Sequence, residues 1–170
     1  MSRRAFLVTV GALLAGAVGW AVVRRLGARP PSDEELINAL FLDAARAVEE
    51  KRVSDAVRGV SERFQGDGLG KHEVKQIIAA HVLRGEWVSV TVAGTRLRVG
   101  GDAAEATVDV VMARSGKGRS LSDLLPAEAS ANRIACRLAR EEGEWRVVAA
   151  RRRPISLAEA LAGPPPAADP

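Results

Sequence analysis

The spacing of apolar and polar positions changes twice along the chain. The run from Ala5 to Val23 contains no charged residue. From residue 33 to residue 84, apolar residues recur every three or four positions, which is the period of an amphipathic helix. After Gly85 they alternate with polar residues, which is the period of a half-buried strand. The pattern therefore predicts an apolar N-terminal helix, then a helical part, then a sheet.

Three helices are predicted in the helical part. The first covers Asp33–Lys51, and Ser32 with Glu35 three residues later forms the capping-box pattern at its start. The second covers Asp55–Arg63 and the third covers Lys71–Arg84. Each helix places its apolar residues along one stripe and its charged residues elsewhere, so the three are expected to pack on a common core.

Four or five antiparallel strands are predicted to follow the helices. Their boundaries are Trp87–Val92, Thr95–Val99, Ala103–Met112, Asn132–Arg140 and Trp145–Arg153. Ala93-Gly94 is a tight connection, residues 113–130 form a long loop, and Ser156 with Glu159 caps a last short helix. Helices that precede the strands are typical of the α+β class. For this chain the pattern predicts three helices packed on a curved four- to five-stranded antiparallel sheet.

The uncharged N-terminal run has the length of a membrane span. A helix of its 19 residues measures roughly 28 Å, close to the hydrocarbon thickness of a bilayer. The residues Ser2–Leu7 read SRRAFL and resemble the twin-arginine export motif. Arg24 and Arg25 follow the run directly, and Leu26-Gly27-Ala28 fits a small-x-small cleavage site poorly. The segment is therefore expected to be an uncleaved transmembrane signal-anchor.

These features predict four parts of the chain: a membrane signal-anchor over 1–28, a linker over 29–32, a folded domain over 33–162 and a disordered tail over 163–170. The chain is expected to be a single-pass protein of the bacterial cytoplasmic membrane, inserted through residues 5–23. Arginines flank the apolar run on both sides, so their number does not decide the orientation. The export-like motif favours a domain on the periplasmic, extracytoplasmic side.

The net charge of the chain is positive because of its N-terminus. Lysine and arginine number 25 against 21 aspartate and glutamate, for a formal net charge of +4. The first 28 residues hold four arginines and no carboxylate, so the remainder is balanced at 21 against 21. A nucleic-acid partner, which needs a basic domain, is therefore not expected.

The folded part resembles the nuclear transport factor 2-like superfamily, whose cone-shaped, cystatin-like fold includes SnoaL-like polyketide cyclases and ketosteroid isomerases. Three features carry the resemblance. The first helix, Leu36–Lys51, leads into a short helix that ends at Phe64, and the turn Gly100–Ala103 precedes an alternating strand. The last hairpin, residues 137–148, reads RLAREEGEWRVV. The resemblance covers roughly residues 33–155 and implies a pocket between the sheet and the helices.

The residues available for acid–base chemistry are few. The chain has two histidines, one cysteine and no tyrosine, so the tyrosine that isomerase members use is missing, and no metal or cofactor is expected. His81 lies on the apolar stripe of the third helix, and His72 lies on its opposite side. His81 and Asp109 are the candidate catalytic pair. Trp87 and Arg137 join His81 as candidate pocket residues.

Two further groups have a structural explanation. Cys136 alternates with apolar neighbours, which is typical of a buried core residue. Asp109 and Arg137 lie on the polar sides of their strands, where a solvated cross-strand ion pair is expected.

One local basic cluster joins Arg151–Arg153 to Arg133, Arg137 and Arg140. Strand alternation places Arg152 on the face opposite Arg151 and Arg153. Aromatic residues for base stacking are missing from the cluster. A polar sheet edge is expected, with binding of lipid headgroups as the functional alternative.

The combined features predict a membrane-anchored, non-catalytic binding or scaffold domain. Its expected contacts are the membrane through residues 5–23, and either a second copy through the sheet face, a common dimer face in the superfamily, or a partner in a membrane complex. Anchored domains of this kind resemble assembly subunits of bacterial secretion systems. The alternative is a small-molecule pocket enzyme of the polyketide-cyclase or isomerase type that uses His81 and Asp109. The two hypotheses differ in whether His81 and a carboxylate line one cavity.

Overall fold

The computed structural model describes residues 29–84, 89–113 and 129–166. Residues 33–170 form a compact unit. Its elements are α1 Asp33–Glu49, α2 Val53–Ala56, β1 Val60–Gln65, α3 Lys71–Leu83, β2 Ser89–Gly100, β3 Ala103–Ala113, β4 Ala129–Glu141, β5 Glu144–Ile155 and α4 Leu157–Ala162. The predicted signal-anchor lies outside the described residues. Within the described ranges, no helix is both long and apolar enough to cross a membrane.

The sheet has five strands in the order β1-β5-β4-β3-β2. Strands β2 to β5 pair antiparallel along the chain, and β1 pairs parallel to β5. The α+β class is confirmed, but the expectation of a purely antiparallel sheet is wrong because of β1. The sequence pattern assigns residues 60–63 to a helix, whereas the structure places them in a strand at the β5 edge.

The helix predicted over Asp55–Arg63 ends early because the chain turns at Gly59. A β-carbon added at Gly59 would lie 2.7 Å from Cγ of Leu40 on α1, so a larger residue does not fit there. Val60 then pairs with Val147 on β5, and Phe64 enters the core beneath the sheet. The chain thus passes close to α1 at Gly59 and enters β1 directly afterwards.

The two strands predicted over residues 87–99 are one continuous strand, β2. It pairs with β3 from Ser89 to Gly100, with a register shift between Val92 and Gly94. The predicted Ala93-Gly94 connection is therefore a β-bulge, an irregularity that bends a strand without ending it. A β-carbon at Gly94 would lie 2.9 Å from Cδ of Pro164, so glycine allows the segment after α4 to pack against β2.

The main core lies between the sheet and the helices α1 and α3, on what we call the inner face of the sheet. Its buried residues are Ile37, Phe64, Ala104, Ala106, Val108, Cys136, Leu138, Trp145 and Val147. The core position predicted for Cys136 is confirmed, and burial raises the pKa of its thiol to about 12. A smaller cluster, made of Ala47, Val48, Ala56 and Val82, joins the ends of α1 and α3 to α2.

The opposite, outer face of the sheet is covered at one end by α4. Val111, Ala113 and Ala131 are buried there with Ala160 of α4, which is fully buried. The capping box predicted for this helix is confirmed: the Glu159 amide donates to the Ser156 hydroxyl, and the Ser156 amide donates to the Glu159 carboxylate. Strand β3 is thus buried on its inner face from Ala104 to Val108 and on its outer face from Asp109 to Ala113.

The start of α1 is bonded to the β4–β5 hairpin. The Arg140 guanidinium and the Trp145 indole N–H, the latter at 3.1 Å, both donate to the Asp33 carboxylate. The guanidinium also lies over the Trp145 ring, 4.7 Å from its centroid. The hydrogen bond from Arg140 and then that from Trp145 lower the pKa of Asp33 below its usual value. A carboxylate at a helix N-terminus is also favoured by the helix dipole.

Replacement of Asp33 by Asn should make folding stability less dependent on pH in acid. Because the pKa of Asp33 is lower in the folded chain than in the unfolded chain, its ionised form stabilises the fold above pH 3.8, and this contribution is lost as the pH falls further. Urea unfolding across this range should show a smaller acid-induced loss for Asp33→Asn than for the wild type. Glu34→Gln, in the same helical turn, is the control. Equal pH profiles for Asp33→Asn and the wild type would contradict the interaction.

Candidate functional site

The outer face of the sheet carries the largest group of unneutralised charges in the described strands. Residues opposite each other in neighbouring strands point to the same face, so the register defines three central rows of this face. The rows, read from β2 to β5, are Arg98-Glu105-Arg137-Ala149, Arg96-Thr107-Ala135-Arg151 and Gly94-Asp109-Arg133-Arg153. These twelve positions hold six arginines, two carboxylates and no aromatic residue.

The register extends the basic cluster that the sequence indicates. Arg152 pairs with Ile134 and points to the inner face, so the predicted separation of Arg152 from Arg151 and Arg153 is confirmed. Sequence reasoning missed Arg96 and Arg98, which the register adds from β2. Their alternation with Leu97 and Val99 was the available signal, but strand order was needed to bring them beside the arginines of β4 and β5. The 21-to-21 balance of charges therefore hides a basic face.

Asp109 is fully buried on this face and forms an ion pair with Arg133. The Arg133 Nε and Nη2 atoms donate to the two Asp109 carboxylate oxygens at 2.7 and 2.8 Å, and the arginine side chain is 12% exposed. The hydrogen bond to Asp109 raises the pKa of Arg133. The expected pair of Asp109 with Arg137, open to solvent, is wrong: Asp109 lies opposite Arg133 in the β3–β4 register, and Arg137 lies opposite Glu105.

The same arginine joins the end of α4 to the sheet. Arg133 Nη2 also donates to the carbonyl oxygen of Gly163, 3.1 Å away, directly after α4. On the neighbouring strand, Arg153 lies 3.7 Å from the carboxylate of Glu159 on the helix. The third row of the face is therefore occupied by contacts within the chain.

The other two rows leave four arginines, which we call the arginine patch: Arg96, Arg98, Arg137 and Arg151. Arg98, Arg137 and Arg151 are exposed, and none of the four forms an ion pair with any described residue. The Nη1 atom of Arg96 is buried and has no hydrogen-bond partner. Toward the β4–β5 hairpin the charges are balanced again, because Arg63 pairs with Glu141 and Arg146 with Glu144.

A groove borders the patch at Arg137 and Arg151. It has a volume of about 1020 Å³ and lies between the loop Gly66–Gly70 and the outer faces of β3, β4 and β5. Its lining combines small residues, among them Ala135 and Ala149, with the apolar residues Phe64 and Leu69 and the charged residues Glu105, Arg137 and Arg151. The loop is fixed to β5 because the Arg152 amide donates to the Asp67 carboxylate at 3.1 Å.

The structure does not bring the candidate catalytic pair together. His81 lies on α3, whose neighbour Val82 packs with Val90 on the inner side of the sheet. Asp109 points to the outer face, so the sheet separates the two residues. Trp87 lies outside the described residues, and Arg137 belongs to the outer face. The candidate pocket set His81, Trp87 and Arg137 is therefore not assembled by the described part of the chain.

The space between helices and sheet is occupied by the apolar core, with Phe64, Val108 and Trp145 each at most 7% exposed. Of two other surface grooves, the one beside β1 is lined mainly by charged residues, and the one beside α1 is lined by charged and apolar residues in similar numbers. Among the described residues, no group of three or more histidine, cysteine or acidic side chains is arranged to hold a metal ion.

No family model and no curated protein matches the chain. Solved structures do match it. A Nostoc punctiforme protein of unknown function with a cystatin-like fold is 12% identical, over 75% of this chain and 96% of that one, with a TM-score of 0.56. A nuclear transport factor 2-like protein of Cytophaga hutchinsonii is 15% identical, over 74% of this chain and all of that one, with a TM-score of 0.54.

A third match is a Novosphingobium aromaticivorans protein that is described provisionally as an aromatic ring hydroxylase. It is 16% identical, over 76% of this chain and 93% of that one, with a TM-score of 0.57. Identities this low establish the fold and nothing about activity. The folded part of the chain is similar to nuclear transport factor 2-like proteins with the cystatin-like fold.

Replacement of Asp109 by Ala should destabilise the fold strongly. Removal of one member of a buried ion pair typically costs about 3–5 kcal/mol of unfolding free energy, because the other charge stays buried without a partner. Asp43→Ala is the matched control, since Asp43 pairs with Arg46 at the surface, where both side chains are more than half exposed. It should change stability little. Urea unfolding measures both, and equal effects of the two substitutions would contradict the structural role of Asp109.

Proposed function

We propose that the chain is a single-pass protein of the bacterial cytoplasmic membrane whose nuclear transport factor 2-like domain binds or scaffolds a partner and does not catalyse a reaction. The non-catalytic role is supported mainly by the position of His81 and Asp109 on opposite sides of the sheet. In addition, apolar core residues fill the space between the sheet and the helices. Pocket enzymes instead enclose a cavity with a few converging polar groups. The arginine patch is then the surface with the most distinctive chemistry.

The outer face is a poor surface for a symmetric dimer of this chain. A two-fold axis places the same patch of each copy against the other, so the arginines of both copies would meet. Like charges brought together in an interface are unfavourable. Helix α4 also covers one end of the face already. We therefore favour a partner in the membrane or a membrane complex over a second copy through this face.

A pocket enzyme is the second candidate function. It is favoured by the fold shared with the Novosphingobium protein described provisionally as a hydroxylase. His81 is the residue that such an enzyme would use, but its acid–base partner would need to be a residue other than Asp109.

Membrane anchoring predicts that the full-length chain stays in the membrane pellet after washing with high salt and with alkaline carbonate. The physical reason is the uncharged run from Ala5 to Val23, which would need to leave the hydrocarbon for water. A matched control replaces Leu13 and Leu14 at the centre of the run by Arg, because charged residues there oppose insertion. Release of the wild-type chain by high salt alone would contradict an anchor.

Export predicts that a C-terminal reporter active only outside the cytoplasm gives a signal. Replacement of Arg3 and Arg4 by Lys, which keeps the charge, should reduce that signal if the twin-arginine motif is used. A signal that persists in this variant indicates export by another route. Activity of a reporter that works only in the cytoplasm would reverse the proposed orientation.

A further inference from the structure

We propose that the arginine patch binds the headgroups of anionic phospholipids in the membrane that anchors the chain, so that the outer face of the sheet contacts the bilayer. This inference rests on the proposed membrane anchor and adds a second, electrostatic contact between the folded domain and the bilayer. Three observations support it: the unpaired charge of the patch, the kind of residues on the face, and the short distance along the chain from the apolar run to α1.

The charge of the patch is not neutralised within the described part of the chain. Glu105 is the carboxylate nearest to it in the register, and it lies between Arg98 and Arg137, so one acid faces two bases. Asp109 cannot compensate the patch because both of its oxygens accept hydrogen bonds from Arg133. An anionic surface is therefore attracted to these rows, and each basic residue near a membrane surface contributes to binding.

The residues of the face favour a phosphate-bearing surface over other anionic partners. The guanidinium group presents a fork of donors that matches phosphate oxygens. Protein interfaces usually contain aromatic anchors, and single-stranded nucleic acids stack on aromatic rings. The three central rows contain no aromatic residue, and their uncharged positions are threonine, alanine and glycine. The central rows therefore present guanidinium groups beside a groove and contain no aromatic anchor of their own.

The segment between the apolar run and the domain is short. Nine residues, Arg24–Ser32, separate Val23 from the start of α1, and fully extended they span at most roughly 30 Å. Such a short tether gives the domain a high effective concentration at the membrane surface. Asp33 contacts Arg140 and Trp145, so α1 begins beside the β4–β5 hairpin.

The experiment uses the full chain reconstituted in vesicles of phosphatidylcholine alone or of phosphatidylcholine mixed equally with phosphatidylglycerol. Ala135→Cys places a fluorophore at an exposed position in the middle of the outer face, and Glu34→Cys places it on α1. The native thiol of Cys136 is buried, so the unsubstituted chain gives the labelling background. A quencher attached to the lipid headgroup reports contact.

We expect quenching at position 135 in the anionic vesicles, little in the zwitterionic vesicles, and little at position 34 in either.

The variant Arg98→Glu, Arg137→Glu, Arg151→Glu should lower the ratio of docked to free domain by at least about fivefold for each arginine. A control with the same change in net charge, Arg46→Glu, Lys51→Glu, Lys75→Glu, alters exposed residues away from the central rows and should retain docking. High salt should abolish the quenching and leave the chain in the vesicles.

Three outcomes overturn the inference while the anchor stands. The first is equal quenching at position 135 in both kinds of vesicle. The second is cross-linking of two copies through position 135 in place of quenching, which would assign the face to self-association. The third is binding of duplex DNA by the patch arginines without lipid contact. A chain that enters neither kind of vesicle contradicts the proposed anchor itself, so the two failures are distinguishable.

Discussion

The buried ion pair between Asp109 and Arg133 is the constraint on which the outer face depends. It lies at the boundary between two surfaces of different chemistry: the apolar cluster under α4 on one side and the arginine patch on the other. Arg133 bonds both the carboxylate and the carbonyl of Gly163, so one side chain fixes β3, β4 and the end of α4 together. A buried charge pair is costly to form, but once formed it strongly disfavours arrangements in which either partner is alone.

The parts of the fold that could be predicted from the sequence are those set by neighbouring residues. The first helix, the strand from Ala103, and the capping box of Ser156 and Glu159 follow from local spacing, and the structure has all three. Strand β1 could not be found this way, because its partner Val147 is far from Val60 in the sequence. The local spacing of its residues favours a helix. They form a strand in the structure, where they pair with β5 after the chain packs closely on Leu40 at Gly59.

The candidate site was predicted less well, and the reason is register. Alternation places Asp109, Arg133 and Arg137 on one face, but it does not say which arginine lies opposite the aspartate. In another register of β3 against β4, Asp109 would lie opposite a different residue, and its buried ion pair with Arg133 would not form. The same uncertainty concealed the arginine patch, because a total of 21 bases and 21 acids contains no information on which strands become neighbours. The charges cancel in the sum, whereas the register brings four arginines together on one face of the sheet.

Strand β2 has a further consequence for the behaviour of the domain in a crowded environment. It is the end strand of the sheet and spans Ser89–Gly100, twice the length of β1 at the other edge. A long, regular end strand offers unpaired amides and carbonyls to any other extended chain and so invites aggregation. The irregularity between Val92 and Gly94 interrupts that template, and Arg96 and Arg98 add charges that repel an identical neighbour. Arg96 and Arg98 therefore also disfavour the joining of copies of the protein into larger sheets at this edge.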